Sequence, residues 1–105
     1  MNSKNYEMIF CIVNAGFAQS VMDSAKKAGA RGGTIIRARG TANPEAEEFF
    51  NITIQQDKEI LMIIVPKEIK DDVMHRLYQD AGLATDSKGI AFSVPVTHAV
   101  GLHEE

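Results

Sequence analysis

Apolar residues crowd into a few short runs, and between those runs they recur at helical spacing. Tyr6 to Val13 (YEMIFCIV), Ile60 to Val65 (ILMIIV) and Ile90 to Val96 (IAFSVPV) have strand length and are rich in β-branched or aromatic residues. Thr34 to Arg39 reads as a fourth, more polar strand. Between the first and fourth, Phe17, Val21, Ala25 and Ala28 fall on one helical face, Lys26 and Lys27 sit in the last turns, and Gly29 stops the pattern. A second helix places Ile69, Val73, Leu77 and Ala81 on one face, begins after Pro66 and stops at Gly82.

The two halves echo each other. VMDSAKKAGA (21–30) and VMHRLYQDAGL (73–83) both run from Val-Met through a helix to Ala-Gly, each preceded and followed by a strand. That is βαβ twice and predicts an α+β, ferredoxin-like βαββαβ fold: a four-stranded antiparallel sheet with two helices on one face. At 105 residues the chain is expected to form a single domain, 1–105. Residues 41–56 form the longest stretch without a firm assignment; TANPEAEE reads as exposed loop and FFNITIQ as a short strand within it. A loop of that length in so small a domain is expected to be functional or disordered.

MIFCIV and ILMIIV are apolar at every position, hence on both faces of the sheet. Two helices cover only one face, and the other would leave a large apolar surface in water. An obligate homo-oligomer is the expected remedy.

Composition narrows the classes. Eleven basic against fourteen acidic residues give a net charge of −3, which argues against nucleic-acid binding. No apolar run approaches a membrane span, and MNSKNYEM has no hydrophobic signal region, so the expected location is the cytoplasm. The lone Cys11 suits a reducing compartment and alternates with Ile9 and Val13 as a buried small hydrophobe.

Candidate chemistry concentrates in two turns. In GARGGTIIRARGT (29–41), Gly32 and Gly33 let the backbone approach a ligand, and Arg37 and Arg39 share a strand face that would suit a phosphate or carboxylate. The alternative is a glycine turn followed by solvated arginines. In DSKGIAF (86–92), Lys88 beside Gly89 would meet an anion, or the stretch is an ordinary polar turn. Both turns follow helices in the same βαβ sense and should lie at the same kind of sheet edge. Asp71 and His75 stand one turn apart but read as a solvated pair, and His98 and His103 lack a ligand set. Glu45, Glu47 and Glu48 read as loop solubility with partner contact, and no nucleophile stands with an evident base. These residues predict a binding protein, not an enzyme.

AGARGGTIIRARGT, KEILMIIVPKE and GIAFSVPVTHAVGL, in that order, resemble the PII signal proteins, specifically their divergent PII-like branch. The resemblance spans nearly the whole chain. It implies a homotrimer that holds an adenine nucleotide (AMP, ADP or ATP) or a related small anion in clefts between subunits, with no required cofactor or metal. It also implies a mobile loop that controls a protein partner, such as a membrane transporter or a metabolic enzyme.

By position, the resemblance makes Thr34 a base contact and puts Arg39 and Gly40 beside the phosphates at the start of the loop. Met62, Ile63 and Ile64 would pack on the adenine, and Ser87, Lys88 and Gly89 would form the phosphate-binding turn. Gly32 completes the set. Departures accompany these matches: Ile90 stands where better-known members have a phosphate-binding lysine, and their two C-terminal arginines fall at Gly101 and His103, of which His103 is kept in the nucleotide set. The loop TANPEAEEFFN has no tyrosine to accept a uridylyl group. The resemblance thus implies weaker selectivity for the triphosphate. Two other readings share the fold: a metal-linked trimer of the divalent-cation-tolerance type, using His75, His98, His103 or Cys11, and an acylphosphatase-like hydrolase.

Overall fold

Alternation along the first strand sets the frame. The computed structural model describes residues 5–41, 44–50, 56–82 and 84–102. In it β1 (Tyr6–Asn14) buries its odd-numbered side chains and leaves the even-numbered ones half-covered. The chain continues through α1 (Ala18–Lys27), β2 (Thr34–Arg39), α2 (Pro44–Phe50), β3 (Asp57–Pro66), α3 (Lys67–Ala81) and β4 (Ile90–Pro95). The strands form one antiparallel sheet in the order β2-β3-β1-β4. With α1 and α3 packed on one face, this is the ferredoxin-like arrangement expected from the two βαβ halves.

The covered face holds the core. Ile9, Cys11 and Val13 from β1 and Leu61, Ile63 and Val65 from β3 meet Val21, Met22 and Ala25 of α1 and Val73, Leu77 and Ala81 of α3. Each large aliphatic side chain buried this way contributes about 1.5–3 kcal/mol. The helical spacing in the sequence therefore marks the core stripe correctly, and Phe17, Ala28 and Ile69 pack at its margin.

Two expectations are revised. β3 begins at Asp57, three residues before the apolar run from Ile60, because Asp57, Lys58 and Glu59 extend the ladder to Arg39, Ala38 and Arg37 of β2. Pro44–Phe50 is a short helix where loop was expected. A proline at the first helical position lacks only an N–H that would go unpaired there anyway, and Glu45 and Glu47 in the first turn complement the helix dipole. Phe49 and Phe50 belong to that helix, not to a strand; the rest of the suggested strand, 51–55, lies outside the described residues.

The opposite face of the sheet is organised in cross-strand rows. Ile36, Ile60, Ile12 and Ile90 stand side by side across all four strands. The next row is Thr34, Met62, Phe10 and Phe92, with the two phenylalanine rings stacked 5.1 Å apart. Beyond it Ile64, Met8 and Val94 form a third. No described element covers these rows: Ile36 is 42% exposed, Ile90 56% and Phe92 45%. The apolar ladder ends at a row in which Lys58 and Asn14 stand beside Ala38.

Candidate functional site

Polar partners gather at the end of the sheet where that last row lies. Asn14 closes β1 there. Its Oδ1 accepts a hydrogen bond from Lys58 Nζ at 2.7 Å, its Nδ2 donates to the Asp86 carbonyl at 3.3 Å, and its backbone N–H donates to the Ser87 carbonyl at 2.9 Å. Two strands away, the root of the long loop is stapled twice onto Gln56. The Gly40 N–H donates to the Gln56 carbonyl at 2.7 Å, and the Arg39 guanidinium donates to its Oε1 at 3.0 Å. Arg39, Gly40 and the 86–89 turn are thus brought to one end of the molecule, joined through Asn14 and Lys58.

Within the 86–89 turn the backbone is engaged internally. The Lys88 N–H donates to the Thr85 carbonyl at 3.1 Å and the Gly89 N–H to the Ala81 carbonyl at 2.6 Å. What the turn offers a ligand is therefore the exposed Lys88 ammonium, not a cradle formed by those two amides. Lys88 has φ +51°, the one positive value among described non-glycine residues; such left-handed backbone is uncommon for a residue with a Cβ and concentrates at functional turns. Ser87 is buried. Gly89 has a packing reason to be glycine, since a Cβ there would collide with the Ala81 carbonyl.

The glycine turn before β2 reads differently from its sequence. A Cβ at Gly33 would stand 2.7 Å from the Met62 carbonyl oxygen, so Gly33 serves the close approach of the chain to β3. Gly32 has open space around it. Thr34, which follows, is exposed and lies directly opposite Met62 on the uncovered face, with Ile64 one row further on. Ile63 needs correction: its side chain is 0% exposed in the helix-covered core, so it offers a ligand nothing but backbone. His103 lies outside the described residues.

The site set therefore divides in two. Gly32, Thr34, Met62 and Ile64 occupy the β2 side of the sheet, whereas Ser87, Lys88 and Gly89 lead into β4 at the other edge. Each glycine turn does lead into an edge strand, but the edges are opposite and the strands run in opposite directions, since β2 is parallel to β1 and β4 antiparallel to it. Three strand spacings separate the edges, about 14 Å.

Arg37 and Arg39 share the helix-side face, as the alternation predicts, and both are exposed. Arg37 lines a groove of about 420 Å3 with Ala15, Gly16, Asp57, Lys58 and Glu59. The Glu59 carboxylate is already engaged by the N–H groups of Gly16 and Ala18. Asn14, Gln56, Lys58 and Glu59 were not selected from the sequence. The one signal available was the abrupt change from apolar to polar at the strand ends.

Among the described residues, no three His, Cys, Asp or Glu side chains are grouped as a metal site would need. Asp71 is paired with Lys70 at 2.8 Å, and His75 stacks on Tyr78 with ring centroids 6.5 Å apart. Burial pushes the Cys11 thiol up to about 11, the direction expected for an inert core thiol. No described helix is long and apolar enough to cross a membrane.

Comparison with known proteins agrees with this architecture. Several solved structures share the fold at a TM-score of 0.66. A PII-like signaling protein of Thermus thermophilus is 20% identical, with 87% of this chain and 85% of that one aligned at TM-score 0.66. PII of Arabidopsis thaliana, solved with citrate, is 22% identical over 90% of this chain and 77% of its own, also at 0.66. A nitrogen regulatory PII-like protein of Thiomonas intermedia, solved with ADP, AMP and bicarbonate, is 13% identical over 92% and 96%, again at 0.66. A search of curated proteins finds no significant match. The family model for nitrogen regulatory protein P-II matches residues 6–105, nearly the full chain. The chain belongs to the nitrogen regulatory protein P-II family.

Proposed function

We propose that the protein is a cytoplasmic, non-enzymatic PII-like sensor that binds an adenine nucleotide between subunits of a homotrimer and signals through residues 41–56. The observation that carries this reading is the division of the site. Thr34, Met62 and Ile64 stand near one edge of the sheet and Ser87–Gly89 near the other. One ligand touching both sets needs a second copy to bring them together. The uncovered rows of Ile36, Ile60, Ile12 and Ile90 and of Met62, Phe10 and Phe92 supply the reason to associate, because soluble monomers rarely leave so contiguous an apolar surface in water.

In this reading the base rests against Thr34, Met62 and Ile64 of one subunit. The phosphates meet Lys88 and Arg39 of another, with Gly40 beside them and His103 at the C-terminal end. Few cations stand there: Lys88 and Arg39 carry the charge, Lys58 is engaged with Asn14, and Ile90 carries none. Unpaired phosphate charge is costly to desolvate, so AMP and ADP are favoured over ATP. The ADP and AMP of the Thiomonas protein make these the first ligands to test. A ligand that prefers one arrangement of the loop shifts its population and thereby its affinity for a protein partner, a transporter or metabolic enzyme.

Isothermal titration of the purified protein with AMP, ADP, ATP and cyclic dinucleotides tests the proposal. Saturable heat with AMP or ADP, weaker with ATP, is expected. No heat with any nucleotide at millimolar concentration overturns the nucleotide reading.

A further inference from the structure

Asn14 makes contacts to two segments that are not neighbours in the sheet. Its side chain accepts from Lys58 Nζ and donates to the Asp86 carbonyl, while its N–H holds the Ser87 carbonyl. Lys58 lies two residues from Gln56, the residue onto which Gly40 and Arg39 close the loop. Polar contacts therefore run from the 86–88 turn through one carboxamide to Lys58, and β3 itself carries the last two residues to the root of the loop.

The chemistry of the carboxamide suits that position. It carries an acceptor and a donor on one plane, so it can face a cation on one side and a carbonyl oxygen on the other. The two partners also fix which way the amide points. A carboxylate would hold Lys58 but repel the carbonyl oxygen of Asp86; a hydrocarbon would do neither. Lys58 and Asn14 are both half-buried, where exchanging these bonds for water is less favourable than at the open surface.

We infer that Asn14 is a positioning residue that couples the 86–88 turn to the root of the 41–56 loop, so that a ligand engaging the turn is felt at Gln56 and Gly40. The coupling is a property of the free protein. Its use by a nucleotide rests on the function proposed above.

Hydrogen–deuterium exchange on the full chain, with and without saturating ADP, tests it. Without ligand, Asn14→Ala should raise exchange roughly five- to ten-fold at the Lys88, Gly89 and Gly40 amides, with the core amides of Ile9 and Ile63 unchanged. Asn14→Asp should loosen the turn and leave Gly40 protected, because the link to Lys58 survives. Lys58→Met should do the reverse. With ADP, the wild-type protein should gain protection at the turn. The inference is overturned if the variants raise exchange uniformly or if they change neither segment. Should ADP protect nothing in the wild type, the nucleotide reading fails and the ligand-free pattern alone decides the coupling.

Discussion

The Glu59 carboxylate, on β3, accepts the backbone N–H of Ala18 at 3.1 Å and that of Gly16 at 2.8 Å. It therefore caps a helix that has no cap of its own. Phe17 at the N-cap makes no side-chain hydrogen bond, and the first turn of α1 carries no acid. A remote carboxylate satisfies amides that would otherwise be left unpaired and places negative charge where the helix dipole favours it.

Removing that carboxylate leaves two backbone donors short of a partner. Glu59→Ala is expected to destabilise the fold by about 1–3 kcal/mol, read as a lower midpoint in urea with unchanged slope. Glu59→Gln keeps one acceptor oxygen and should lose less. Equal losses in the two variants would show that hydrogen bonding contributes little there.

The uncovered isoleucine row predicts the assembly. Ile36→Lys together with Ile90→Lys puts charge at both ends of the row, and burying a charge without a partner costs several kcal/mol. Sedimentation velocity should show the wild type as a trimer at micromolar concentration and the double variant as a smaller, still folded species. A wild-type monomer at that dilution would remove the second wall of the proposed site.

Arg39 tests the phosphate assignment. If its guanidinium meets a phosphate in a charge-assisted bond, Arg39→Ala weakens nucleotide binding by about 1–3 kcal/mol. Lys88→Ala should behave alike, and the two losses should be larger for ADP than for AMP. Unchanged affinity in titration would reduce both to surface charge.

Gly89→Ala is expected to destabilise by about 2 kcal/mol or more, because the added carbon must push the Ala81 carbonyl at the end of α3. A lower thermal midpoint with the sheet intact by circular dichroism is the expected result. Gly32→Ala, made in open space, should leave the midpoint within error of wild type.

The Cys11 thiol titrates near 11, above its ordinary value of 9.0, because burial disfavours the thiolate. The folded state thus holds its proton where the unfolded chain has begun to lose it. This contribution to stability is complete below about pH 9 and is lost as pH rises toward 11. Cys11→Ala should flatten that part of the stability curve, and the wild-type thiol should resist alkylation at pH 8 unless the protein is unfolded.

The sequence by itself determined the four strands, the two long helices and the faces those helices bury. The length of the apolar runs and the spacing of Val21, Ala25, Val73 and Leu77 are local consequences of strand and helix geometry, and each helix must hide one stripe of hydrocarbon whatever its neighbours are. The excess of apolar residues over what two helices can cover was legible for the same reason. Where the polar groups meet was not. Asn14, Lys58, Gln56 and Glu59 are ordinary surface residue types, and their partners lie 17 to 72 positions away along the chain. A hydrogen bond depends on position to within a few tenths of an ångström, and only the register of β3 against β1 and β2 brings those atoms into range. The same register sends Ile63 into the core and leaves Met62 and Ile64 on the open face, a choice that a run of unbroken apolar residues leaves unmarked.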